Sequence, residues 1–271
     1  GQTGNFALRM RGTLRSPRRM LIAHMDTVPI CVNAEPVLQG NRVASKNPSG
    51  GLGADDRAGV AVLLNTALEI LEKKLPCPPL TFLWSVQEEV GLQGVRHASL
   101  GMLQNPKLAF NFDGGSPEKL TIGATGGYRM QIKISGLASH AGGAPEKGVS
   151  AIVIAGLAIA DLQKRGWHGQ IIKGQQRGTS NIGVIHGGTA TNVVADTVQL
   201  KAEARSYSKS FRKKIVDQVK KAFSQAAQQV MNDSGESGTV TFTGQTDYES
   251  FRLSQTEPSV KKAKAAIQAL G

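Results

Sequence analysis

Short apolar runs that each stop at an acid or a histidine constrain this chain more than any other feature. Residues 20–23 lead into His24 and Asp26, residues 80–86 into Glu88 and Glu89, and residues 108–112 into Asp113. Each run has the length of a strand, whereas residues 58–71 are apolar nearly all round and have the length of a buried helix. Alternation of this kind means an α/β layer structure, a mainly parallel mixed sheet with flanking helices. Sites in such sheets form beyond the carboxyl ends of the strands, which is where these acids stand.

After Gly126 and Gly127 the pattern changes. Residues 128–135 alternate as a strand, 150–164 have helical length, and 180–185 and 197–206 read as two strands around a glycine turn. A charged helix over 210–231 and a strand over 239–243 complete the β-α-β-β-α-β order of a ferredoxin-like α+β domain. An amphipathic helix starting at Pro258 reads as a return toward the first domain. The expected organisation is a first domain over 1–125, an inserted domain over 126–245 and a return over 246–271.

With 271 residues, of which 40% are hydrophobic and 19% charged, the chain has enough material for one large domain or two smaller ones. Its apolar stretches fall short of the roughly 20 residues that cross a bilayer, so no membrane contact is expected. Two cysteines, Cys31 and Cys77, are too few for a disulfide framework and fit a reducing, cytoplasmic location. The net charge of +12 raises a competing class, a basic nucleic-acid binder. Its basic residues gather at Arg9, Arg11, Arg15, Arg18 and Arg19 and again at Arg212, Lys213, Lys214, Lys220 and Lys221. No aromatics interleave with them as base-stacking platforms would, so both clusters read as solvated faces and nucleic acid is not an expected partner.

The acids and the histidine carry the chemistry. His24 and Asp26 are two apart at a strand end and point the same way, so a carboxylate can orient an imidazole. Asp55 and Asp56 follow the glycine-rich turn at Gly51 and Gly53, directly before the apolar helix. Either can cap that helix, or one can bridge two cations. Glu88 and Glu89, adjacent at the mouth of a strand, repel each other and call for positive charge. Beside a metal, one of them can ligate while the other takes a proton from water. Asp113, followed by Gly114 and Gly115, is either a turn residue or a further ligand. Each has an ordinary structural reading alone, but together they make an oxygen-rich site suited to Zn²⁺ or a similar divalent cation.

The runs His24-Met25-Asp26-Thr27-Val28-Pro29, Gly53-Ala54-Asp55-Asp56-Arg57-Ala58-Gly59, Gln87-Glu88-Glu89-Val90-Gly91 and Phe112-Asp113-Gly114-Gly115 resemble, in order and spacing, the dinuclear zinc exopeptidases that include peptidase T, glutamate carboxypeptidase and aminoacylase. The likeness is strongest to the peptidase T branch and extends through nearly the whole chain, since that family also inserts a ferredoxin-like lid. It implies that His24 and Asp113 bind one zinc, Asp55 bridges, Glu89 binds the other, Asp26 orients His24 and Glu88 is the general base. It also implies a cis peptide at Asp55-Asp56. In the lid, His140 of the run Ser139-His140-Ala141-Gly142 would polarise the scissile carbonyl, often across a homodimer, and Asn192 and Arg205 would hold substrate. The activity implied is aminopeptidase action on short peptides, with carboxypeptidase or N-acyl amino acid hydrolase activity as the alternative within the family. The family's last ligand, a histidine near its C-terminus, has no counterpart in context here, nor has the helical region before its first strand. The expectation is therefore a trimmed chain that holds one zinc rather than two and is itself nearly inactive. From a different class, a non-catalytic basic binding or dimerisation protein would have no use for Glu88, and clustered carboxylates would repel phosphate.

Overall fold

The computed structural model describes residues 4–270. The chain divides into two compact units, Gly1–Ile122 with Leu253–Gly271, and Gly123–Arg252. The second ends later than the 245 expected from sequence, because its last long strand continues to Tyr248 and a further short strand pairs back on the unit.

The first unit contains β1 (Phe6–Met10), β2 (Arg19–His24), β3 (Pro36–Gln39), β4 (Arg42–Ser45), α1 (Ala54–Glu72), β5 (Leu80–Ser85), α2 (Gln93–Arg96) and β6 (Leu108–Asn111). Its main sheet has the order β1-β5-β2-β6, with β2 parallel to both β5 and β6 and β1 antiparallel to β5. Every residue of β5 is buried, as expected of a strand covered on both faces. Helix α1 packs Leu63 and Ala67 into a core with Ala23, Leu80, Phe82 and Trp84. Its opposite face does not follow the expectation of a buried helix: Val62, Leu64, Leu68 and Leu71 are exposed, because its contacts are with β2 and β5 on one side only. The hairpin of β3 and β4 was not read from the sequence, although Gly40, at φ 61°, makes its turn.

The second unit runs β7 (Gly123–Ala124), β8 (Gly126–Ser135), α3 (Ala151–Lys164), β9 (Gly169–Lys173), β10 (Gln176–Gly187), β11 (Thr197–Ser206), α4 (Lys209–Gln229), β12 (Thr239–Tyr248) and β13 (Phe251–Arg252). The chain then returns to the first unit with α5 (Pro258–Ala269), which packs on β6. The five-stranded sheet has the order β12-β8-β11-β10-β9 and every neighbour is antiparallel. Setting β9 aside leaves the ferredoxin-like arrangement, and β9 is an extra edge strand joined to β10 by a tight turn. Ser150 and Ser208 accept the Val153 and Phe211 N–H groups and so cap α3 and α4. Met130, Ile132 and Ile134 of β8 alternate inward and meet Ile154, Ala158 and Leu162 of α3 and Phe211, Ile215, Val219 and Phe223 of α4.

One residue of the second basic cluster departs from the solvated face expected of it, while Lys213, Lys214, Lys220 and Lys221 are exposed. Arg212 is only 3% exposed and its Nη2 donates to Glu249 at 2.7 Å, because the same turn of α4 that buries Phe211 and Ile215 carries it inward. Truncating Phe223 to alanine should lower the unfolding free energy of this unit by about 3–5 kcal/mol in urea titration. Lys221→Ala, two residues away and exposed, should stay within about 0.5 kcal/mol of wild type.

Candidate metal centre

Parallel pairing of β2 with β5 and β6 brings the residues that follow all three strands to one sheet edge. His24 ends β2 opposite Ser85, the last residue of β5, and Phe112 N–H still reaches the Ile22 carbonyl as β6 ends. Around the His24 ring, Nε2 lies 3.1 Å from Asp55 Oδ1, 3.9 Å from Asp113 Oδ2 and 4.0 Å from Glu88 Oε2. Two sets of donor atoms lie within 4.8 Å of one another, His24 with Asp55 and Asp113, and His24 with Glu88 and Glu89. The structure therefore gathers His24, Asp55, Glu88, Glu89 and Asp113 within the first unit, with His24 common to both sets.

His24 is 3% exposed, and its ring is fixed from behind. Nδ1 lies 2.9 Å from the main-chain oxygen of Asp26 and 3.5 Å from its carboxylate. A carbonyl oxygen only accepts, so Nδ1 carries a hydrogen and Nε2 faces the acids, where it can hold either a proton or a metal ion. The carboxylate of Asp26 is engaged elsewhere: Oδ1 accepts Glu88 N–H at 3.0 Å and Oδ2 accepts Glu89 N–H at 3.1 Å. Asp26 thus holds the imidazole through its backbone and the two glutamates through its side chain.

The turn bearing Glu88 and Glu89 is tied further by Gly91 and Leu92 N–H groups on the Glu88 carbonyl. Asn5, which nothing in the sequence singles out, accepts Val86 N–H at 3.2 Å and donates to the Gly94 carbonyl at 2.7 Å. A lone asparagine near the start of the chain offers no pattern by which to find it.

The two aspartates before α1 divide the roles that their sequence left open. The Asp55-Asp56 peptide is cis, and both residues have non-helical dihedrals. Asp56 is buried and its Oδ1 accepts Gly59 N–H at 3.2 Å, the capping bond, while Asp55, with a side chain 72% exposed, faces His24.

Packing acids this closely shifts their protonation. Burial, the charge of Asp55 and a hydrogen bond that the protonated Asp113 gives to Asp55 raise the Asp113 carboxyl above its usual range, with His24 opposing. Glu88 is raised by burial first, then by Asp113, Glu89 and Asp26, again against His24. Burial alone would lower His24, but Asp113, the Asp26 carbonyl, Glu88 and the Asp26 carboxylate outweigh it and the imidazole is raised. Carboxylates that resist ionising beside an imidazole that favours its cation form a cluster short of positive charge. One imidazole nitrogen with carboxylate oxygens is also a donor set that zinc accepts, and the fixed tautomer of His24 fits a ligand.

The second unit carries the other three predicted residues. The backbones of His140 and Asn192 run side by side, with Ala141 N–H on the Asn192 carbonyl at 2.9 Å and a bridge between His140 and Val193. His140 Nδ1 accepts N–H groups from Gly142 and Gly143 at 3.2 and 2.9 Å, which leaves its hydrogen on Nε2. Arg205 is already engaged, with both ends of Glu203 at 3.0 Å and Tyr248 Oη at 3.3 Å.

Comparison with known proteins agrees with this geometry. The sequence matches the family model for peptidase family M28 over residues 5–144 and that for the M20 peptidase dimerisation domain over residues 122–231. YqjE of Bacillus subtilis is 31% identical over 269 residues, which cover 99% of this chain and 68% of YqjE. The crystal structure of a tripeptidase from Staphylococcus aureus is similar at 33% identity with a TM-score of 0.83, covering 98% of this chain and 68% of that one. Aminopeptidase PepT of Bacillus cereus follows at 31% and 0.77, covering 99% and 68%. Carboxypeptidase G2 of a Pseudomonas species is 35% identical over 140 residues, 49% of this chain and 32% of that enzyme. No helix among the described residues is long and apolar enough to cross a membrane. The gathered acids around one oriented histidine, the two family matches and the near-complete overlap with a tripeptidase and PepT lead to one assignment: the chain belongs to the peptidase T-like family of metal-dependent peptidases, hydrolases of the peptide bond.

Proposed function

We propose that this chain carries the centre of a zinc-dependent exopeptidase that acts as an aminopeptidase on short peptides. The observation that carries the reading is His24 Nε2, held by tautomer and facing Asp55, Asp113 and Glu88 at 3.1 to 4.0 Å. The overlap with the Staphylococcus aureus tripeptidase along 98% of the chain supports the substrate class.

Zinc bound here would acidify a water and polarise the scissile carbonyl. His24, Asp55 and Asp113 would hold one ion, and Asp55 with Glu89 would serve a second. Glu88 takes the proton of the attacking water at a carboxylate oxygen and returns it to the leaving amine. Asp26 keeps His24 and the Glu88-Glu89 turn in register through the hydrogen bonds already described. His140, with its hydrogen on Nε2, is assigned to the substrate carbonyl oxygen, and Asn192 and Arg205 to substrate contacts, Arg205 only on loosening its pairing with Glu203. Similarity to carboxypeptidase G2 over half the chain favours a second reading, a carboxypeptidase. Tripeptides blocked at either end separate the two: an aminopeptidase tolerates a blocked C-terminus and rejects a blocked N-terminus.

We also propose a homodimer through the second unit. Strand β9 pairs only with residues 176–180 of β10, so residues 181–187 have no strand on that side among the described residues. Ile185 is exposed on that stretch, and Ile152 of α3, beside Gly188, is exposed next to Val153 and Leu157. A free strand edge with apolar neighbours is the surface on which a second copy pairs. Sedimentation should find a dimer that Ile185→Lys converts to monomer; a monomeric wild type removes this part.

Glu88→Gln should leave zinc content unchanged and lower kcat by roughly 100-fold or more, measured on the active enzyme. Parallel loss of zinc and activity would make Glu88 a ligand instead. Because His24, Asp55 and Asp113 offer one ion three protein ligands whereas Asp55 and Glu89 offer a second only two, zinc titration of the 271-residue chain should reach about one tightly held ion, since a zinc site takes three protein ligands. Its turnover of tripeptides should be very slow, and a second tightly held ion or vigorous turnover contradicts this.

A further inference from the structure

Asp56, like Asp26, takes no place in either donor set, and it is the buried acid of this cluster, at 3% exposure. Its two oxygens have different partners. Oδ2 accepts the main-chain N–H of His24 at 3.1 Å, and Oδ1 accepts that of Gly59 at 3.2 Å. The first is the last residue of β2 and the second lies near the start of α1, so one carboxylate joins the strand that ends in His24 to the helix whose opening carries Asp55.

The reason lies in the sheet. The Met25 N–H points to β5, where it meets the Ser85 carbonyl, and the Ile22 carbonyl points to β6, where it meets Phe112 N–H. Main-chain groups alternate along a strand, so His24 N–H points to the β6 side. The β2–β6 ladder stops at Ile22 and Asn111. Asp56 therefore supplies the acceptor that the ended strand no longer provides, and a buried N–H left without one is costly. The fit is close: a Cβ on Gly59 would lie 2.9 Å from Asp56 Cγ, so a side chain there would displace the carboxylate.

We infer that Asp56 is a positioning residue that fixes the separation of His24 and Asp55, 3.1 Å between Nε2 and Oδ1, and thereby prepares the metal site without touching the ion. The inference rests on the metal reading above. A helix cap alone would need only the Gly59 bond; the His24 bond ties the cap to the ligand.

The test is Co²⁺ binding by the 271-residue chain, read by chelator competition and by visible absorption. Asp56→Asn keeps the shape but turns an N–H donor group toward one of the two N–H partners. It should weaken Co²⁺ binding by roughly 10- to 100-fold and alter the absorption, with far-UV circular dichroism of the metal-free chain unchanged. Gly59→Ala leaves the carboxylate chemistry intact and only displaces it, and alanine is favoured over glycine within a helix, so an equal loss there reports position and not helix stability. Wild-type Co²⁺ affinity and absorption in Asp56→Asn overturn the inference; if that variant does not fold, wild-type values in Gly59→Ala overturn it. Should the wild type itself take up no Co²⁺, the metal reading has failed. The His24 ring signals in NMR spectra of the metal-free chain then decide: displaced in Asp56→Asn they uphold the positioning role, unmoved they overturn it.

Discussion

Parallel pairing of β2 between β5 and β6 is the constraint on which the rest of the first unit depends. Parallel neighbours end on the same edge, so three connecting segments leave together and whatever side chains they carry are forced into one neighbourhood. The apolar content of β5 secures this, since a strand buried along its whole length has one deep place in the sheet. The acids then follow from connectivity and not from any attraction among themselves.

Left to electrostatics those carboxylates would part. They stay because groups that are not metal donors hold the backbone beneath them: Asp26 on the N–H groups of Glu88 and Glu89, Asp56 on those of His24 and Gly59, Asn5 across Val86 and Gly94. Three polar side chains thus oppose repulsion that falls on the exposed tips. Burial first and repulsion among the acids second raise the carboxyls of Asp113 and Glu88, and a divalent cation is what relieves both.

The second unit is organised differently. An antiparallel sheet can leave one face and one edge open, and here two helices cover one face while β9 covers only part of an edge. Inward alternation on β8 and serine caps on both helices fix its packing, and Arg212, buried against Glu249, shows that position along α4 outweighs a formal charge.

Periodicity in the sequence determined the α/β pattern, the β-α-β-β-α-β order and the location of the acids, because burial on one or both faces writes itself into the spacing of apolar residues. His24, Asp55, Glu88, Glu89 and Asp113 were legible as a candidate cluster for the same reason, each standing just beyond or before such a run, while their separate roles came only from the family resemblance. The edge strand β9 and the hairpin of β3 and β4 were not, since short, half-exposed strands carry little apolar periodicity. Nor could the pattern of residues by itself say which of Asp55 and Asp56 caps the helix and which faces the imidazole, or that Asp26 grips a turn 62 residues away. Adjacent acids are chemically identical along the chain. Only the tertiary structure separates them, by burying one carboxylate beside main-chain N–H groups that have lost their strand partner and leaving the other in the open.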